Sequence, residues 1–389
     1  MAILCAFCFT SCVEDYEVPV TENVSDILVV EGNIIANTNC KFHLSTLTKL
    51  DASPDYTKTH YVSKAYVMVC GSDGSVLYAS NSDANVGDYN VYVGDLNPDV
   101  YYWLHIKIGY DSGQSYSSQP MRPLFTEDVT ELTYDTKRAD GEVDFAISTA
   151  DPGEERYYRW EYDEVWEINT PYRAEWEYVP ATGGFQRVAK LTQRGWDHDY
   201  QHPIIVATNK EIGNTAFKKK VLYTINHVDL RLQTYYFTQV RQVAISKEEY
   251  EYISILQSQS YDMGGLFTPM PSELPSNING YNGYKAIGFV GVRGNQTYKQ
   301  LFVSSGEVGF KSLRHAKELS EEEMEGHSTE YLWQQGYRIY SYNPMLGCKW
   351  TYRWCVDATD SSWGNCTLDE PWFWYSLKNN SWGGDLLSF

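Results

Sequence analysis

The sequence predicts a mainly all-β protein, in which an N-terminal sandwich of the immunoglobulin or fibronectin kind is followed by a larger β-rich domain with one or two short helices. Three observations predict it. Short apolar runs broken by turn residues follow one another from Ile27 onward, several runs alternate apolar and polar residues with a period of two, and Tyr, Phe and Trp make up 15% of the chain. At 389 residues the chain exceeds the roughly 250–300 residues at which a single core stops growing, so more than one domain is expected.

The first domain spans residues 27–125. Its apolar runs are Ile27 to Ile35, Phe42 to Leu50, Ala65 to Cys70, Val76 to Ala79, Val91 to Val93 and Tyr101 to Ile108. In the last of these Tyr102, Leu104, Ile106 and Ile108 share one face while Trp103, His105 and Lys107 share the other, the pattern of a half-buried strand with His105 turned to solvent. Gly71-Ser72-Asp73-Gly74-Ser75 reads as a hairpin connection in which glycine supplies a positive φ. Leu96-Asn97-Pro98 followed by Tyr102 resembles the tyrosine corner of such sandwiches, where the phenol hydroxyl bonds back to nearby backbone.

The second domain spans residues 126–389, and Tyr157 to Ile168 is its clearest strand. Tyr158, Trp160, Tyr162, Glu164, Trp166 and Ile168 fall on one face, Arg159, Glu161, Asp163 and Glu167 on the other. Glu164 is the odd member: a carboxylate among aromatics could carry a raised pKa and act in a site, or pair with an arginine, or sit at an open sheet edge, and pairing or exposure is the commoner outcome. Ser246-Lys247-Glu248-Glu249 is a capping-box start, with Tyr252, Ile255 and Leu256 at helical spacing to about Ser258. Ser320-Glu321-Glu322-Glu323 offers a second, more polar helix start. Between them the glycines and prolines from Gly264 to Pro275, with the run Ser276-Asn277-Ile278-Asn279-Gly280 after them, exclude regular structure, and Ala286 to Val292 reads as a strand.

The chain opens with an apolar stretch ending Phe9-Thr10-Ser11-Cys12, which resembles a bacterial lipobox, so residues 1–11 read as a signal peptide and Cys12 as the lipidated residue. The stretch is shorter than the usual 15–30 residues or so and lacks a basic cluster, so the signal is read as truncated. Residues 12–26, acidic and proline-bearing, read as a flexible tether, and the acidic patch from Glu14 to Glu17 resembles the signal that exports Bacteroidota lipoproteins to the cell surface. Acyl chains such as palmitate, at about 0.8 kcal/mol per buried methylene, would hold the protein on the outer membrane.

The balance of 31 basic against 51 acidic residues gives a net charge of −20, which argues against nucleic acid as a partner. No nucleophile elbow, phosphate-binding glycine loop or His-Glu-x-x-His occurs. His198 and His202 lie four apart in Trp196-Asp197-His198-Asp199-Tyr200-Gln201-His202, a spacing that would align two metal ligands on a helix, but Gly195 and Pro203 flank a segment that reads as a polar loop. Neither a metal nor another cofactor is expected, and no catalytic residue is assigned.

Three segments together resemble the outer-membrane lipoproteins of Bacteroidota grouped as domain of unknown function 4249. These are Ile27-Leu28-Val29-Val30-Glu31-Gly32-Asn33-Ile34; the passage from Ser246 through Gly265-Leu266-Phe267 and Ser276-Asn277-Ile278 to Ala286-Ile287-Gly288-Phe289; and the ending, where Cys355 and Cys366 precede Pro371-Trp372-Phe373-Trp374. The resemblance implies a surface lipoprotein, often encoded beside TonB-dependent receptors, and supplies no catalytic residues. The segment between the two late cysteines is longer than in the family pattern.

Export would permit disulfides. Cys355 with Cys366 would close a short loop in the C-terminal segment, worth about 2–3 kcal/mol, and Cys40 with Cys70 would bridge strands of the first domain, leaving Cys348 over. The expected role is that of a non-enzymatic accessory or ligand-binding partner of an outer-membrane β-barrel such as a TonB-dependent receptor. The alternatives are independent glycan or peptide binding, or a surface hydrolase using Glu164 or the segment around His198.

Overall fold

The computed structural model describes residues 27–46, 60–79, 81–83, 86–109, 113–136, 141–199, 202–261, 275–309, 326–334, 338–343 and 347–351. Cys12 and the tether, the loop from Gly264, the helix start at Ser320, and Cys355 with Cys366 lie outside the described residues.

Ten strands come first: β1 (Leu28–Glu31), β2 (Ile34–Ile35), β3 (Thr38–Thr46), β4 (His60–Tyr61), β5 (Ala65–Gly71), β6 (Val76–Tyr78), β7 (Asn81–Asp83), β8 (Asp88–Val93), β9 (Tyr102–Ile108) and β10 (Gln114–Ser118). All but β2 form the greater part of two sheets whose inner faces, with Val30, Phe42, Leu44 and Val91 from one and Val67, Val69, Leu104 and Ile106 from the other, meet in a single core. The tyrosine corner is present, with Asn97 N donating to the Tyr102 hydroxyl at 3.0 Å. The β5–β6 hairpin closes through Gly71 N to Ser75 O at 2.8 Å, and Gly74 takes a φ of +89°.

The chain leaves this sandwich near residue 125 and later returns to it. After β11 (Val129–Asp135), β12 (Glu142–Thr149), β13 (Tyr157–Val179), β14 (Gly184–Asp199), β15 (Ile205–Thr208), β16 (Lys220–Asn226), β17 (Tyr235–Ile245) and helix α1 (Lys247–Tyr261), three short strands complete the first module. These are β18 (Ile278–Gly280), antiparallel to β10, and β19 (Ala286–Gly288) and β20 (Val292–Arg293), parallel to β1 and β2. β18 forms where the sequence excluded regular structure, because β10 offers it an open edge, and the single strand expected over 286–292 is two, each adding to a different partner. Gly288, at φ +140°, lies so close to β1 that a Cβ would sit 2.1 Å from the Val30 carbonyl oxygen, which explains glycine there.

The second module places the three-stranded sheet β11-β12-β16 over a seven-stranded one, ordered β21-β17-β13-β22-β23 with β14 and β15 also paired to β13; here β21 is Thr297–Ser304, β22 Arg338–Asn343 and β23 Gly347–Thr351. Ile147 of the upper sheet packs on Tyr158, Trp160 and Val240, and Phe145 packs on Tyr236 and Val303. The even-numbered face of β13 is thus buried between sheets, while α1 covers part of the other face through Ile253 against Val243 and Ile245. Ser246 caps α1 by accepting from Glu249 N at 3.1 Å, but the Glu249 carboxylate binds Arg293 and only half of the capping box forms. On that helix Ile253 and Glu249 are buried and Leu256 is exposed.

One expectation for the first module fails on strand parity and one on burial. Cys40 and Cys70 are free thiols: Val67 and Val69 point into the core, so Cys70 between them and Gly71 points outward, while Cys40 points in. His105 does face outward, yet it is half-buried and hydrogen-bonded to Ser117 Oγ at 2.7 Å; burial, with Lys107 nearby, lowers its pKa.

Candidate functional site

Glu164 lies midway along β13, directly opposite Thr238 of β17 and Asp199 of β14. It is on the even face, under the upper sheet, and is completely buried. Its surroundings follow from an interruption in the neighbouring edge. Pairing along β13 stops at Glu164↔Asp199 and resumes at Trp160↔Ile205, and His202 lies in the segment between.

Three groups compensate the buried carboxylate. Arg231 Nη1 donates to both oxygens, at 3.0 and 3.1 Å. The Tyr236 hydroxyl donates to Oε1, and His202 Nε2 lies 3.0 Å from Oε2. Arg231 comes from a single 3-10 turn, Leu230–Leu232, whose N-cap Asp229 accepts from the Arg231 backbone at 3.0 Å and holds its side chain through Nη2 at 2.9 Å. The sequence Asp229-Leu230-Arg231 therefore builds a rigid bracket that aims one guanidinium at Glu164.

A column of rings stands beside this cluster. His202 stacks on Tyr162 (centroids 4.0 Å apart, 12° between planes), Tyr162 on Tyr223 (4.0 Å, 9°) and Tyr223 on Phe145 (4.8 Å, 9°). The column runs from the fully buried Phe145 to a titratable imidazole. The Tyr223 hydroxyl donates to Thr238 Oγ1 at 2.8 Å and lies 3.0 Å from that of Tyr236.

Burial disfavours charge on His202, but the hydrogen bond and charge of Glu164, with Asp199 behind them, outweigh it and raise the imidazole pKa above 6.5. Burial and nearby acidic groups push the phenols of Tyr223 and Tyr236 well above their ordinary value, so both stay neutral donors. Burial opposes ionisation of Asp229 too, and the bonds from Arg231 reverse that and hold its carboxyl below the usual range.

The arrangement neutralises Glu164. Both carboxylate oxygens are engaged by a guanidinium, and each takes a further donor, which leaves no free basic lone pair for a substrate proton. Donor atoms of Glu164, Asp199 and His202 lie within 4.8 Å of one another, but Arg231 already stands 3.0 Å from the Glu164 carboxylate, and its charge would repel a divalent ion there. The residues fit an ion-paired cluster better than a metal centre.

Of the sequence candidates, the structure joins Glu164 and His202 and separates His198. That residue lies in β14 rather than in a loop, and its register partner is Val165, which places it on the face opposite Glu164. Burial lowers its pKa, against Asp199. Arg231, Tyr236 and Tyr223 were not identified from sequence. Their one local signal is the Asp-x-Arg spacing of the 3-10 turn.

A second buried glutamate sits where the modules meet. Glu249 of α1 receives Arg293 of β20 through two bonds, Nη1 to Oε2 at 3.1 Å and Nη2 to Oε1 at 2.5 Å, and both side chains are almost fully buried. Arg159 stands 3.9 Å away on the open face of β13, where burial, with Arg293 nearby, lowers its pKa to about 10.

The chain was compared with known proteins. Residues 13–299 match the family model described as Domain of unknown function (DUF4249), and the chain belongs to that family. The match covers the sandwich, its returning strands and the Glu164 cluster, and it stops short of the late cysteines. No curated protein matches. Among solved structures, a DUF4785 family protein from Legionella pneumophila is 11% identical over 55% of this chain and 52% of that one, with a TM-score of 0.20. The manganese lipoxygenase of Gaeumannomyces graminis, in a structure that also includes part of zonadhesin from Komagataella pastoris, is 8% identical over 58% of this chain and 91% of that one, with a TM-score of 0.10. This chain spans about half of the Legionella protein.

Proposed function

We propose that this member of the DUF4249 family is a non-enzymatic surface lipoprotein, anchored through Cys12 to the outer membrane, that docks on a β-barrel such as a TonB-dependent receptor. The observation that supports docking is the outward face of the sheet β18-β10-β9-β5-β6. Cross-strand pairing sets Tyr78 beside Met68 and Val76 beside Cys70, and carries the rows on to His105 and Trp103. Tyr78 is 64% exposed, and Tyr66 and Val76 are each 41% exposed. Tyrosine and tryptophan bury large rigid areas at little entropic cost, so such a cluster, with Lys107 beside Tyr66 at its edge, suits the core and rim of an interface.

The non-enzymatic part rests on the neutralised Glu164, and the anchor on the lipobox residues Phe9 to Cys12. Protease shaving of intact cells, with Cys12→Ala as control, tests the location: loss of the wild-type protein from intact cells supports surface display, and protection overturns it. Tagged protein extracted in detergent should bring a barrel with it, and Tyr66→Ala with Tyr78→Ala should abolish that recovery. Retention by the double variant would place docking elsewhere. Repeated failure to recover any barrel would favour the second reading, capture of a glycan or peptide on the same tyrosines.

A further inference from the structure

Lys218-Lys219-Lys220 are the only three consecutive basic residues in a chain of net charge −20, and the fold places two of them in a cleft. The cleft, about 690 Å³, is bordered by β15, by Glu211 and Ile212, by residues 215–218 with Lys220, and by Tyr250 of α1. That volume falls within the range of about 300–1,000 Å³ typical of ligand sites. About half of its wall is apolar: Val206, Ala207, Ala216, Phe217, and Ile212, which is 44% exposed at the rim.

Lys220 opens β16, and its ammonium lies 5.4 Å from the centroid of Phe217 and 6.0 Å from that of Trp160. Both rings are fixed. Trp160 is fully buried and donates to Gln242 Oε1 at 2.8 Å, and the Phe217 backbone exchanges two bonds of 3.0 Å with Thr149. Among the described residues no carboxylate pairs with Lys218 or Lys220, whereas Lys210 outside the cleft has Glu155 at 3.7 Å. Glu211, exposed, is the one acid in the lining. A half-buried cation held over two rings, with no counter-charge in a chain rich in acid, is stabilised most by an anion brought from outside.

We propose that this cleft binds an anionic amphiphile, with Lys220 taking the anionic head and the wall from Val206 to Phe217 taking an apolar chain. The site is separate from the tyrosine face of the sandwich and stands whether or not that face meets a barrel. Charge complementarity selects the head, and the apolar lining selects a ligand with a hydrocarbon body over a bare anion.

Isothermal titration of the full-length protein with sodium decanoate tests this, with decyltrimethylammonium, acetate and hexaglutamate as controls. One saturable decanoate site is expected, with each control at least about tenfold weaker. Lys220→Met keeps the aliphatic stem over the rings and should weaken decanoate about tenfold, the effect of losing one charge-assisted bond, without weakening the cationic analogue. Ile212→Asp, at an exposed position that leaves the fold intact, should weaken decanoate as much. Absence of saturable binding, equal binding of the cationic analogue or of hexaglutamate, or unchanged affinity in either variant with an unshifted melting temperature would overturn the proposal.

Discussion

Glu249 and Glu164 are both buried and both meet an arginine, yet their surroundings differ in kind. Arg293 is as deeply buried as Glu249, and the two join helix α1 to strand β20, so this pair fastens one module to the other. Arg231 keeps 27% of its side chain exposed, and Glu164 shares its charge with a histidine and a tyrosine at a break in the sheet edge. Burial alone therefore does not mark a candidate functional carboxylate. The number, exposure and titratability of its partners separate a fastener from a cluster that can respond to protons or ligands.

The same substitution at each arginine should give the largest contrast. Arg293→Met leaves Glu249 with only the distant Arg159, and a loss of about 3–5 kcal/mol is expected in urea denaturation, largely recovered by adding Glu249→Leu. Arg231→Met leaves Glu164 its bonds from Tyr236 and His202, so a smaller loss of about 1–3 kcal/mol is expected. Equal losses would erase the distinction.

Proton dependence sharpens it further. The fold raises the His202 pKa, so its contribution is complete below the ordinary imidazole value of 6.5 and is lost as the pH climbs through the higher folded value. Wild-type protein should thus lose more stability than His202→Gln between about pH 5.5 and about pH 9, while His202→Gln leaves the Glu249 junction untouched. Parallel stability curves for the two proteins would remove His202 from the cluster's energetics. A neutral bond sets the lowest mark: Tyr102→Phe deletes the tyrosine-corner contact and should cost about 0.5–1.5 kcal/mol by thermal melting.

Much of the fold was legible locally. The alternation at Tyr102 to Ile108, the Gly71–Ser75 hairpin, the tyrosine corner and the cap at Ser246 each depend on residues a few positions apart, and each is found where the pattern put it. The same alternation, applied to Val67, Val69 and Cys70, would have ruled out the Cys40–Cys70 bridge. For Glu164 the sequence showed a carboxylate on an aromatic face and pairing with an arginine as its common fate. It did not show which arginine, because Arg231 is 67 residues away and belongs to no patterned element. Nor did it show that residues 278–293 return to the first sandwich, since three short strands carry too few residues to reveal a partner.

By itself, then, the sequence determined the β class, the inward and outward faces of its strands and the turns between them, because side-chain alternation and turn geometry are properties of neighbouring residues. Only the tertiary structure decided that Glu164 is neutralised by Arg231, Tyr236 and His202, that His198 faces away from it, and that Lys220 lies over two rings with no counter-charge among the described residues. Those outcomes depend on strand register and on the stacking of one sheet over another, and a register shift of one residue would move every such side chain to the opposite face.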